Sequence, residues 1–217
     1  MNILYVGLAR TVWLFDLALL NPTGMSLKGV VEEITKRYQF AKAPRNELDV
    51  DEQKSLAFKG GTFVGRRKVP LLVGLSIYTD GFVADTMSST DEATEFLDDL
   101  AKWLSDTYKL VVPKQRTVGY LSQIDFQSEV PLVGLNPRLK SFVEAVREHI
   151  STKGQLDVTA IQFWTEDYGK PATPAPFRIE RKISALFSAN HYFSQAPMST
   201  RDHTELLITF EAMLTEK

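Results

Sequence analysis

The sequence predicts an α+β fold: a tandem, pseudo-symmetric repeat of strand, helix, three strands and helix, giving a mostly antiparallel sheet with helices on one face. Three observations point there. Short motifs recur in the same order in both halves, a helical stripe follows each motif, and alternating apolar runs lie between the stripes. A chain of 217 residues suits one large domain or two small ones. The expected halves are 1–112 and 113–217, merged into one compact domain. Their join, Val111-Val112-Pro113-Lys114, is too short and too apolar for a flexible tether.

The elements follow in order. Ile3 to Leu20 is the one long apolar stretch, and it contains Arg10 and Asp16. Each mid-membrane charge costs roughly 2.5–3.5 kcal/mol, nothing basic precedes Ile3, and Asn21-Pro22 makes a poor cleavage site. The stretch therefore reads as a buried strand near 10–17, with no membrane anchor and a cytoplasmic location. Leu20-Asn21-Pro22 precedes a helix with Leu27, Val30, Val31, Ile34 and Tyr38 on one face, capped by Ser26. Strands follow near 55–64, 68–78 and 82–87. Val69, Leu71, Val73, Leu75 and Ile77 alternate onto one face, and Thr79-Asp80-Gly81 supplies a hairpin turn. Met87-Ser88-Ser89-Thr90 then opens a helix over 89–107 that buries Phe96, Leu97, Leu100, Trp103 and Leu104. Ser89 and Glu92 have capping-box spacing.

The second half repeats this order. A strand near 115–127 places Val118, Tyr120, Ile124 and Phe126 on a buried face that Ser122 interrupts. Leu135-Asn136-Pro137 opens a helix striped by Leu139, Phe142, Val143, Val146 and Ile150, with Asn136 as cap. Strands are expected near 155–165, 176–184 and 189–195, with an irregular loop from Tyr168 to Pro176. Met198-Ser199-Thr200 opens the last helix, which buries Leu206, Leu207, Phe210, Met213 and Leu214. Ser89 to Phe96 and Ser199 to Leu206 are identical at four of eight positions, and the paired motifs stand 70 and 65 residues apart. In element order the chain resembles the TATA-binding-protein-like folds, which are also tandem repeats. The resemblance is one of topology alone; no sequence motif of that family is matched, and no residue is carried over.

Composition excludes several function classes. The net charge is −2, from 25 basic and 27 acidic residues, so no polybasic or acidic tail steers a partner. Without cysteine there is no disulfide, no thiolate nucleophile and no Cys-ligated zinc; three histidines leave little room for a His-rich metal site. Neither cofactor nor metal is expected. Gly60 to Arg67 has two glycines at phosphate-loop spacing, but Arg66 and Arg67 stand where Lys and Ser or Thr are needed, so a hairpin is the better reading.

The candidate site residues are therefore few. Lys59, Arg66, Arg67 and Lys68 give the hairpin a local +4, while the helix over 89–107 carries a local −5. This pairing suggests a charge-asymmetric surface for a protein partner. Arg178 and Arg181, with Lys182, add a second basic patch, which keeps a nucleic-acid-binding saddle open as an alternative. Asp16 and Asp125 are read as equivalent positions in the first strand of each half. With His191 they are the catalytic candidates for a metal- or carboxylate-dependent hydrolase. No HExxH, GxSxG or aspartic-protease signature occurs. The expected function is accordingly binding rather than catalysis: an accessory or regulatory subunit that engages a protein through an open sheet face or the charged hairpin, with a homo-oligomer also open.

Overall fold

A computed structural model describes residues 1–20, 28–44, 55–131, 137–150, 156–166 and 175–215. In chain order the elements are β1 (Asn2–Leu14), α1 (Lys28–Arg37), β2 (Leu56–Val64), β3 (Pro70–Tyr78), β4 (Gly81–Thr86) and α2 (Thr90–Tyr108). Then come β5 (Thr117–Gln127), α3 (Pro137–His149), β6 (Ala160–Phe163), β7 (Phe177–Arg181), β8 (His191–Ala196) and α4 (Thr200–Thr215). This is strand, helix, three strands, helix, twice over. The eight strands form one sheet, ordered β2-β3-β4-β1-β5-β8-β7-β6. Asn21, Pro22, Ser26 and Leu27, Leu135 and Asn136, and Tyr168 to Pro174 of the expected loop lie outside the described residues.

The chain divides into two compact units, Leu8–Ser122 and Met1–Gly7 with Gln123–Lys217. In Leu8–Ser122 the sheet alternation is clean. Ala9, Thr11 and Trp13 of β1, Phe58 and Phe63 of β2, Val73 and Leu75 of β3, and Phe82 and Ala84 of β4 are all buried. Val30 and Ile34 of α1 and Phe96, Leu97, Leu100 and Leu104 of α2 join Trp13, Phe58, Phe63, Val73, Leu75, Phe82 and Ala84 in one apolar cluster, so both helices cover the same sheet face. The ring of Phe96 sits edge-on to Tyr38 and Phe63 at 4.9 and 5.5 Å.

Two glycines are dictated by space. The β2–β3 register shifts between Phe58 and Gly61, and a Cβ at Gly61 would lie 2.4 Å from the Phe40 ring. Only a bare backbone lets Phe40 into the core there. At the β3–β4 turn Gly81 has φ 146, and a Cβ would meet the Trp13 carbonyl oxygen at 1.9 Å. Ser89 caps α2 as expected, accepting from the Glu92 N–H at 3.2 Å, and Lys109 ends it in the left-handed conformation.

The other unit has a smaller core: Ile124, Phe126, Ile179, Tyr192 and Leu207, with Ile3, Val6, Phe177 and Phe210 against it. Several expectations are corrected here. The first strand is Asn2–Leu14 rather than 10–17, since Phe15 N–H already bonds Asp80 O and the chain then enters a short 3-10 turn. Val69 lies outside β3 and is exposed. Val118 and Tyr120 are exposed, whereas Ser122 is fully buried on the face of Ile124 and Phe126. The stripe of α3 is not buried, and Phe142 is 66% exposed. On α4, Leu206 and Met213 face solvent, and His203 takes a place in the interior. β6 and β7 are shorter than expected.

Candidate functional site

The basic hairpin and the acidic helix find each other. Arg66 donates its backbone N–H to Glu95 Oε1 at 2.7 Å, and its side chain stands 3.5 Å from the same carboxylate. Arg67 lies 3.4 Å from Glu92, Arg37 bonds Asp99 at 3.0 Å, and Arg116 approaches Asp98 at 3.8 Å. Burial and the bond to Asp99 push the Tyr38 phenol above its ordinary range. Lys68 sits at the turn with φ 57. The two charge runs that sequence reasoning read as a polarised surface thus offset one another within Leu8–Ser122. Each exposed pair contributes little to stability, but together they reduce the free charge the hairpin offers.

Among the described residues the opposite face of the same sheet carries no helix-packing residues and is largely apolar. The strand pairings set its rows: Gly74, Asp85 and Arg10; Ser76, Val83 and Val12; Tyr78, Gly81 and Leu14. Beyond the first row, Leu8, Leu72 and Met87 border a depression of about 260 Å³. Leu72 is 65% and Met87 66% exposed. Arg10 and Asp85 form a bidentate ion pair on this face, with Arg10 Nε and Nη2 at 2.7 and 2.9 Å from the Asp85 carboxylate oxygens. That bond holds the Arg10 guanidinium above its ordinary pKa.

In the other unit several of the corresponding strand positions are polar. Gln162, Arg178 and Gln195 are register partners in a row, and Gln123 donates to Gln195 at 2.9 Å. Asp125, between core-facing Ile124 and Phe126, is buried. Lys182 donates to it at 2.5 Å, His191 Nε2 stands 3.6 Å away, and the Tyr5 hydroxyl lies 3.3 Å from the same ammonium. The hydrogen bond to Asp125 raises the Lys182 pKa, so this lysine is a counter-ion rather than a nucleophile.

The structure therefore brings Asp125 and His191 together, but Asp16 is not their partner by symmetry. Asp16 lies beyond β1 and caps the 3-10 turn Leu17–Leu19, accepting from the Ala18 N–H at 2.9 Å. Matching bonds fix the equivalence: Phe15 N–H to Asp80 O and Ser128 N–H to Asn190 O, with Asp80 and Asn190 each ten residues before the helix-opening Thr90 and Thr200. Asp125 then answers Val12, and Asp16 answers Glu129. Among the described residues no group of three His, Cys, Asp or Glu could hold a metal ion.

Arg178 and Arg181 do not form a patch. Arg178 pairs with Glu180 at 3.0 Å and lies over the Phe193 ring. Arg181 is buried, donating to Phe187 O at 2.7 Å and the Tyr192 hydroxyl at 3.0 Å, with Asp157 at 3.6 Å. Its guanidinium is engaged inside its unit and is not offered at the surface.

No protein-family model matches the chain, and no curated protein does. Among solved structures it is similar to the TBP of Methanococcus jannaschii. The identity is 14% and the TM-score 0.44, over 100% of this chain and 98% of that chain. Among the described residues no helix is long and apolar enough to cross a membrane.

Sequence reasoning missed Lys182 as the partner of Asp125, Tyr5 as a second contact of the Lys182 ammonium, and Asp85 as the partner of Arg10. A signal existed for the last. A lone arginine in an apolar strand needs a carboxylate on a neighbouring strand, and Asp85 is the one acid within 82–87.

Proposed function

We propose that the chain is a non-catalytic binding module that engages a protein partner through the open sheet face of Leu8–Ser122. The observation carrying this reading is the apolar surface made by Leu8, Val12, Leu14, Leu72, Tyr78, Val83 and Met87. A sheet face in contact with water ordinarily alternates to polar residues, and contiguous exposed apolar surface marks interaction sites. The charged hairpin is the weaker candidate, because its arginines already face the acids of α2.

A nucleic-acid saddle finds less support. Phosphate tracking needs several free cations, and Arg66, Arg67, Arg178 and Arg181 each have a carboxylate within 3.6 Å. A hydrolase built on Asp125 and His191 would need the carboxylate free for water or metal, whereas Lys182 occupies it.

The test is co-purification at moderate salt of wild type, Leu72→Asp with Met87→Asp, and Arg66→Glu with Arg67→Glu. The protein that co-elutes stoichiometrically with wild type is expected to be lost by the first pair and kept by the second. Loss with the hairpin variant alone would move the interface to the hairpin. Retention by both variants would overturn the reading.

A further inference from the structure

The depression on the open face has a definite shape and an unbalanced rim. Gly60 and Gly74 line it where larger residues would fill it, Leu8, Leu72 and Met87 form its apolar walls, and Lys59 stands on its border. At about 260 Å³ it is smaller than the roughly 300–1,000 Å³ of a small-molecule site, and it is enough for one large apolar side chain.

Lys42 is directly opposite Lys59. The two residues exchange both backbone bonds, Lys42 N–H to Lys59 O at 3.1 Å and Lys59 N–H to Lys42 O at 2.8 Å. Both lysines are exposed. Directly opposed residues in such a pair present their side chains on one face, and like charges there repel. Neither lysine has a carboxylate within ion-pair distance among the described residues. The acid nearest the depression, Asp85, is held by Arg10. An apolar pit bordered by Lys59, with Lys42 directly opposite that lysine, complements a segment that carries an apolar side chain beside an acid.

We propose that this depression is the anchor site of the interface: it takes one leucine- or phenylalanine-sized side chain from the partner, with a neighbouring Asp or Glu against Lys42 and Lys59. This rests on the open-face reading above and names the chemistry of the partner segment.

The experiment uses the full chain, labelled with 15N and with 13C at the methionine methyl groups, and three tripeptide amides: acetyl-Glu-Leu-Glu, acetyl-Lys-Leu-Lys and acetyl-Glu-Ser-Glu. Saturable shifts at the Gly60 and Gly74 amides and the Met87 methyl are expected with the Glu-Leu-Glu peptide. The Lys-Leu-Lys peptide should bind about three- to tenfold more weakly, the scale of one or two exposed ion pairs, and the Glu-Ser-Glu peptide should leave these signals unmoved. Gly74→Val fills the pit and should abolish the shifts. A Cβ at Gly74 meets nothing closer than the Asp85 Cβ at 3.5 Å, and the remaining amide spectrum of the variant checks that the fold is kept. Lys42→Glu with Lys59→Glu should reverse the peptide preference. Absence of shifts at Gly60, Gly74 and Met87, equal binding of the basic peptide, or binding unaffected by Gly74→Val would each overturn the anchor. The open-face reading would then still stand or fall on the Leu72 and Met87 variants.

Discussion

Ser194 donates its hydroxyl hydrogen to the Arg178 carbonyl oxygen at 2.9 Å, so the 2.8 Å contact between Ser194 Oγ and His203 Nε2 needs a hydrogen on the ring nitrogen. His203 is fully buried, with the Phe177 ring edge-on at 6.0 Å. Burial lowers its pKa to about 4. An unfolded histidine takes up its proton near pH 6.5, so between pH 6.5 and 4 the unfolded chain binds a proton that the folded chain refuses. Stability from this group is therefore complete above pH 6.5 and is lost as pH falls towards 4, by about 3 kcal/mol. Denaturant titrations of wild type and His203→Gln at pH 7 and pH 4 isolate the effect, because carboxylate titrations are common to both. Glutamine keeps the amide donor and does not titrate. The wild type is expected to lose about 3 kcal/mol more than the variant; equal losses would show that the imidazole is charged in the folded protein.

At the scale of single elements, the hairpin from β3 to β4 gives a sharp contrast between two glycines. Gly81→Ala asks for a Cβ 1.9 Å from the Trp13 carbonyl oxygen at a φ of 146, while Gly74→Ala meets only an ordinary contact at 3.5 Å. Thermal unfolding should show Gly81→Ala destabilised by about 3 kcal/mol or more, and Gly74→Ala changed by less than about 1 kcal/mol. A mild effect at Gly81 would mean that the turn relaxes to accept a side chain. This turn was legible in the sequence because Thr79-Asp80-Gly81 interrupts a strict two-residue alternation, and the α2 cap was legible because Ser89 and Glu92 have one local chemistry. Periodicity shows that a stripe exists but not what covers it. Leu139, Phe142 and Val146 mark α3 correctly as a helix, yet none of them is buried. Asp16 was misplaced for a related reason: a carboxylate following an apolar run reads equally as a strand residue or as a cap, and the cap takes it.

At the scale of the whole chain, the two halves share an element order but have diverged on both sheet faces. On the open face, Leu8–Ser122 presents mainly aliphatic residues, whereas the second unit presents Gln123, Gln195 and Arg178 beside Phe193, and an ion pair between buried Asp125 and part-exposed Lys182. Identity between the halves survives chiefly in the helix-opening segments, where capping constrains it, so sequence comparison revealed the repeat but not the divergence. Inside, the imbalance is larger. Among the described residues the apolar cluster of Leu8–Ser122 contains 21 buried residues, and that of the other unit contains five. Each fully buried large apolar side chain contributes roughly 1.5–3 kcal/mol relative to exposure, far more than the scattered surface ion pairs return. The second unit also contains a buried arginine and a buried carboxylate, whose desolvation offsets part of its apolar gain. Proteins open first where apolar burial is thinnest. Native-state hydrogen exchange should therefore separate two equivalent strands. The β4 amides, Gly81–Thr86, should exchange only through global unfolding. Those of β8, His191–Ala196, should exchange through a partial opening that lies a few kcal/mol lower and leaves β4 protected. Leu207→Ala should speed exchange in β8 without changing β4, whereas Phe96→Ala should lower the protection of β4. If β4 and β8 exchange with one common free energy and respond together to both substitutions, the chain unfolds as a single cooperative body and the larger core stabilises both halves.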